Sequence, residues 1–197
     1  MSILSPPRRT TLGFASFRRF SVDEYHRMIE SGILTDKDKV ELLDGYVVLK
    51  MPRNPPHDTA VLKTNKRLIR LVPAGWEVRC QSAITLSDSE PEPDFVVVRG
   101  DETTYATRHP GAAEVGLLLE ISDSSLDRDR HDKGPVYAAA GIAIYCIVNL
   151  IDRQVEAYSG PSAAGYANRQ DYKYGDAVPL MLDGVNCGSI PVAELLP

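Results

Sequence analysis

The stretch Pro91-Glu92-Pro93-Asp94-Phe95-Val96-Val97-Val98 places an acid at the mouth of a short apolar run. The prolines bar a helix from running through, and each biases the residue before it toward extended backbone. The β-branched and aromatic residues that follow predict a buried strand from Asp94 to Val98. Further along, Val115-Gly116-Leu117-Leu118-Leu119-Glu120-Ile121 is a second strand-length run, with its acid near the end. If the two strands pair antiparallel, the start of the first lies beside the end of the second, and Asp94 and Glu120 share one sheet edge. A carboxylate closing an apolar run is costly unless something satisfies it. Two facing carboxylates repel, and a hard divalent cation relieves the repulsion. The same residues also fit a strand-start aspartate and a glutamate paired with an arginine, so on their own they leave both readings open.

Working outward, Asp132 reads as the N-cap of a helix ending at Gly141, with Pro135 in its first turn. Lys133 is then the first helical residue, able to point back toward the carboxylates. Upstream, Ser21 and Glu24 form a capping box for a helix stopped at Gly32, with Phe20 and Tyr25 able to staple across it. Glu41 to Met51 reads as two short strands around the Asp44-Gly45 turn. Asp58 to Val72 predicts an amphipathic helix. Val61, Leu62, Leu68, Ile69 and Val72 fall on one side, and Lys63, Lys66, Arg67 and Arg70 form a basic stripe on the other. Trp76 to Leu86 and Ile142 to Leu150 read as strands, and Gln154 to Tyr158 as a hairpin partner after an Asp152-Arg153 turn. The tail from Gly160 reads as turn-rich with weak strands. The order predicts an α/β (α+β) chain with a mixed sheet.

The chain has 197 residues, of which 43% are hydrophobic and 25% charged, which excludes disordered and fibrous classes. Its size predicts one domain over residues 20–197 behind a flexible arm over 1–19. No apolar run reaches membrane-spanning length. The N-terminal residues lack the order of a signal peptide, so a cytoplasmic location without membrane contact is expected. The three cysteines show no C-x-x-C spacing, and Cys80 and Cys146 read as core thiols. A net charge of −5 argues against coating nucleic acid by bulk charge. That charge is divided: 14 Lys and Arg against 9 Asp and Glu through residue 80, then 8 against 18. The basic part holds the Lys63/Lys66/Arg67/Arg70 stripe and the Arg8/Arg9/Arg18/Arg19 arm, so any DNA contact is expected to be local and salt-dependent. His57 reads either as positioning water or phosphate or as helping to start its helix. Asp123, Asp127, Asp129 and Asp132 lack the spacing of a calcium loop and read as a solvated acidic loop. Tyr137 and Tyr145 read as packing residues, and no G-x-S-x-G supports a serine hydrolase.

The ordered set P-E-P-D-F-V-V-V, L-L-L-E-I-S-D-S-S, D-x-D-x-x-D-K and Y-A-A-A-G-I-A-I-Y-C-I-V-N-L resembles the Uma-two-type endonucleases. These belong to the restriction-endonuclease-like PD-(D/E)xK superfamily. E-L-L-D-G at residue 41 and P-P-H-D at 55–58 extend the resemblance, which spans roughly residues 20–160. It implies a restriction-endonuclease-like core, a mixed four- or five-stranded sheet flanked by helices. It also implies a Mg²⁺-dependent endonuclease, with Mn²⁺ as a substitute, hydrolysing DNA phosphodiesters. Asp94 and Glu120, with the Ile121 carbonyl, would hold the metal. The superfamily lysine two positions after the second acid is absent, since Ser122 stands there, and Lys133 matches the lysine that related families carry on the next helix. Glu41 matches a recurring family acid. A homodimer is expected by analogy. The alternative is a catalytically degenerate nuclease fold serving as a dimeric binding or assembly module.

Overall fold

The structure is a computed structural model and describes residues 17–197. Helix α1 (Val22–Glu30) opens with the Ser21/Glu24 capping box in place. Strands β1 (Val40–Leu43) and β2 (Tyr46–Leu49) form the expected hairpin, with Asp44 at φ 49° and Gly45 at φ 74° making the turn. A Cβ on Gly45 would lie 2.7 Å from Arg19 Cβ, so glycine serves both the backbone conformation and the close approach.

Helix α2 (Pro55–Leu71) begins earlier than its periodicity suggested. Asn54 caps it by accepting the His57 N–H, and Pro55 and Pro56 occupy first-turn positions where a missing N–H costs nothing. Its buried side is His57, Ala60, Thr64 and Leu68. Leu62 and Ile69, expected to face the core, are more than 60% exposed because they lie off this line.

Six strands form the main sheet in the order β3-β4-β5-β6-β7-β8. They are β3 (Trp76–Cys80), β4 (Phe95–Arg99), β5 (Val115–Ser122), β6 (Ile144–Asn149), β7 (Gln154–Ser162) and β8 (Gly165–Tyr172). β5 and β6 are parallel and every other neighbouring pair is antiparallel. The strand expected to reach Leu86 stops at Cys80, where Gln81 turns out at φ 51°. The sheet exceeds four or five strands because the tail forms β8, and it also forms a separate hairpin, β9 (Ala177–Leu182) with β10 (Val185–Pro191).

The sheet is covered on both faces, so β5 is buried along its whole length. Phe95, Val97, Leu117, Leu119 and Ile121 pack with α2, β9, β10 and the C-terminal residues. Val96, Val98 and Leu118 pack on the other face with Tyr137, Ile142 and Tyr145. Cys146 is buried as expected, and Cys80 is half-buried.

The β5–β6 crossover is one helical run in three registers. It comprises α3 (Leu126–Arg128), a π-helical stretch (Asp129–Lys133) and α4 (Gly134–Ala139). Asp132 is therefore not an N-cap, because helical backbone already precedes it. Gly134 N–H reaches back five residues to the Asp129 carbonyl. The widened turn lies just ahead of Pro135, which lacks an N–H and would crowd the residue 131 carbonyl in a regular turn.

Candidate active site

β4 and β5 stop pairing at Phe95 opposite Leu119, and side chains continue the ladder. The Asp94 N–H donates to Glu120 Oε2 at 3.2 Å, and the Ile121 N–H donates to Asp94 Oδ2 at 2.9 Å. Each acid thus caps the other strand, and β4 and β5 do pair antiparallel, the condition under which the sequence reading put the two acids side by side. A strand residue's N–H and C=O face the same neighbour, so the Ile121 carbonyl belongs to this edge too.

The crossover supplies the cation. Lys133 is 7% exposed, and its Nζ lies 2.9 Å from Glu120 Oε1 and 3.5 Å from Glu41 Oε1. The π-helical stretch sets this side chain over the end of β5. Tyr137 donates its hydroxyl to Glu120 Oε1 at 2.8 Å. Glu41, on β1, accepts from Arg128 Nη2 at 2.9 Å and from the Glu92 N–H at 3.0 Å. From α2, His57 Nε2 meets Asp94 Oδ2 at 3.2 Å. Its backbone N–H is the one that Asn54 caps, so His57 both starts its helix and faces the site.

Burial alone would raise the Asp94 carboxyl, but the hydrogen bond and charge of His57, the Ile121 N–H and Lys133 outweigh it and hold its pKa below the ordinary value. Burial pushes Glu120 up to about 8, against the pull of Lys133 and with help from Asp129 and Asp94. Lys133 is held protonated, since Glu120, Glu41 and Asp129 together overcome the cost of burying it. Burial, then Glu120, raises Tyr137 well above 10, so its hydroxyl stays a donor.

A cleft opens over this cluster, lined by Glu41, Asp94, Glu120, Ile121, Asp129 and Lys133 among others. Of the sequence-predicted residues, Asp94, Glu120, Ile121, Lys133 and Glu41 converge. The basic stripe does not. Lys63 donates to the Leu196 carbonyl, Arg67 pairs with Glu194 at 2.8 Å, Lys66 and Arg70 are exposed, and none of the four lines the cleft. Arg18 and Arg19 bind Glu24 and Asp44, while Arg8 and Arg9 lie outside the described residues.

Asp129 corrects the reading of a solvated acidic loop. It is 3% exposed, and its Oδ2 accepts from the hydroxyls of Ser122 (2.6 Å) and Ser125 (2.7 Å). The helical run carries it inward. Ser122, where the resemblance would have put a lysine, thus serves to hold Asp129. Tyr137 and Tyr145 do pack together, with rings 5.1 Å apart, but each also donates into this region, Tyr145 to the Asp129 carbonyl. The H at 57 within P-P-H-D was a usable signal for His57; burial of Asp129 had none in the sequence.

The mixed sheet flanked by helices, with carboxylates at the β4/β5 edge, defines a nuclease-like α+β fold. The chain belongs to the Uma2 family, described as "Putative restriction endonuclease", which matches residues 22–189. A crystal structure of a "putative nuclease belonging to DUF820" from Anabaena variabilis is similar, with a TM-score of 0.68 and 13% identity over 89% of this chain and 97% of that one. The type IIG restriction endonuclease BpuSI aligns at a TM-score of 0.39 and 17% identity, over 71% of this chain and 14% of its own. No curated protein matches the chain. No helix among the described residues is long and apolar enough to cross a membrane.

Proposed function

We propose that the chain is a Mg²⁺-dependent endonuclease that hydrolyses DNA phosphodiesters at the Asp94/Glu120/Lys133 cluster. The observation that carries the reading is the convergence of two carboxylates from adjoining strand ends on a buried lysine 2.9 Å from one of them. The donor set suits a hard ion. Among the described residues Asp94 Oδ1 meets only Gln81 Nε2, at 3.4 Å, and the Ile121 carbonyl adds a third oxygen. Among the described residues no three His, Cys, Asp or Glu side chains form a ready cage. An ion here would complete its shell with water and substrate phosphate, as Mg²⁺ does. Once bound, it would polarise the phosphate and acidify a water ligand.

The chain's own residues prepare the rest. His57 keeps Asp94 ionised. Tyr137 and Lys133 orient Glu120, and Arg128 orients Glu41. The Lys133 ammonium, held beside Glu120, would stabilise the negative charge that builds on phosphate oxygens as water attacks phosphorus and the ester P–O bond breaks. The rival reading, a degenerate binding module, draws on the fact that both Glu120 oxygens already have protein donors. Plasmid cleavage in Mg²⁺ by pure protein separates the two. Cleavage by wild type and none by Asp94→Ala or Glu120→Ala is expected. Cleavage that survives both changes refutes the site, and an inactive wild type favours the module.

A further inference from the structure

We propose that a second cleft, away from the carboxylate pair, is a phosphate-binding site built around Arg79. The cleft, of about 660 Å³, is lined by His26, Arg79, Thr85, Tyr105, Arg108 and His109 with small residues between them, and by no acid. The lining contrasts with that of the cleft over the carboxylate pair, where Glu41, Glu92, Asp94, Glu120, Asp123 and Asp129 all stand. The basic groups come from three places: His26 from α1, Arg79 from β3, and Arg108 and His109 from the loop joining β4 to β5.

Arg79 is the centre of the argument. Its side chain makes no hydrogen bond or ion pair with any described residue, and its Nε is buried without a partner. The other such atoms among the described residues are His57 Nδ1 and Thr64 Oγ1. A buried orphan donor costs about 1–3 kcal/mol, so its persistence calls for an acceptor. The Tyr105 ring holds the guanidinium in place, with Arg79 Cζ 5.5 Å from its centroid and Arg108 Cζ 5.1 Å from it. The Tyr105 hydroxyl is fixed by donating to the Arg99 carbonyl. Glu114 holds Arg108 through both of its terminal nitrogens, so Arg79 is the guanidinium in this cleft with donors to spare, and a planar set of N–H donors suits phosphate oxygens. Two acids outside the lining satisfy its other polar groups: Glu114 accepts from both terminal nitrogens of Arg108, and Glu90 meets His26 Nε2 at 2.8 Å and accepts from the Thr85 hydroxyl at 2.7 Å. Arg79 keeps the unmatched charge. The site stands whether or not the carboxylate pair cuts DNA.

The test follows the Arg79 Nε–H resonance by NMR in the full chain, without divalent ions, while inorganic phosphate and then a short DNA duplex are added. Phosphate is expected to move the resonance saturably, and Arg108→Gln to weaken that binding about tenfold. By calorimetry, Arg79→Gln should abolish phosphate binding while Arg79→Lys, the control for folding, keeps part of it. Glu120→Gln should leave it unchanged. If duplex DNA moves the same resonance and Arg79→Gln lowers the salt slope of DNA binding by about 1, the phosphate is that of a nucleic-acid backbone. If only inorganic phosphate does so, the ligand is free phosphate or a small phosphoester. No saturable shift, or undiminished phosphate binding by Arg79→Gln, overturns the site.

Discussion

Replacing Glu156 by Gln should destabilise the fold by an amount that depends on pH in a defined direction. Glu156 lies on β7 with no exposed surface. It accepts from Arg130 Nε at 2.9 Å, Asn149 Nδ2 at 2.7 Å and the Tyr158 hydroxyl at 2.7 Å, with Arg169 Nη2 at 3.3 Å. Burial alone would raise its pKa, but Arg130, Tyr158, Asn149 and Arg169 overcome it and hold the carboxyl at about 2 against an ordinary 4.5. At about 1.36 kcal/mol per pH unit, ionised Glu156 contributes about 3 kcal/mol. Because the folded pKa is depressed, this contribution is complete above 4.5 and disappears as pH falls toward 2, with about half left at pH 3. Gln keeps the volume but removes the charge, leaving Arg130 with Asp152 at 3.7 Å as its remaining acid. Urea unfolding followed by circular dichroism should put the variant about 3 kcal/mol below wild type at pH 7. The gap should narrow to roughly 1.5 kcal/mol at pH 3. Parallel stability profiles across pH 3–7 would refute the reasoning. Arg130 belongs to the π-helical stretch that carries Asp129 and Lys133, so the variant should also disturb the placement of those two side chains.

Other outcomes follow from the same geometry. Lys133→Met should slow single-turnover cleavage by about 10²–10³-fold while Mn²⁺ affinity by calorimetry holds or rises, since a cation leaves the site; affinity falling in parallel with rate would contradict this. Gly116→Ala puts a Cβ 2.4 Å from Trp76 Cζ3 and 2.9 Å from Leu182 Cδ2, so a thermal melt should show a loss of about 1–3 kcal/mol. An unchanged melt would mean the Trp76 ring packs elsewhere. Tyr137→Phe removes one of the two donors to Glu120 Oε1, with an expected stability loss of about 1 kcal/mol in urea unfolding; no loss would mean that bond is not formed.

Much of this arrangement was legible because local chemistry and tertiary placement agreed. Ser21 with Glu24, and Asp44 with Gly45, fix their own backbone through caps and positive φ, so neither needed long-range information. Asp94 and Glu120 were readable because an acid at the end of an apolar run is costly wherever it falls, and antiparallel pairing brings such ends together. What escaped depends on distant packing. Asp129 looks like its acidic neighbours until helical backbone starting at Leu126 turns it inward onto Ser122 and Ser125. The α2 face was misassigned because Leu62 and Ile69 are apolar yet stay exposed, whereas Thr64 is buried. The basic stripe looked available for phosphate, but the C-terminal segment folds back onto Lys63 and Arg67. Strand β8 carries polar sequence and β10 a mixed one, and both owe their order to pairing with β7 and β9, which periodicity does not record.

The central claim is that Asp94, Glu120 and the Ile121 carbonyl hold one divalent ion beside Lys133. It is tested most directly by a crystal of the full chain soaked with Mn²⁺ and measured for anomalous scattering. The expected result is one strong peak within about 2.0–2.3 Å of an oxygen from each of Asp94 and Glu120, absent from Glu120→Ala crystals. A soaked crystal with no peak at that edge, or with the peak unchanged in Glu120→Ala, would contradict the claim.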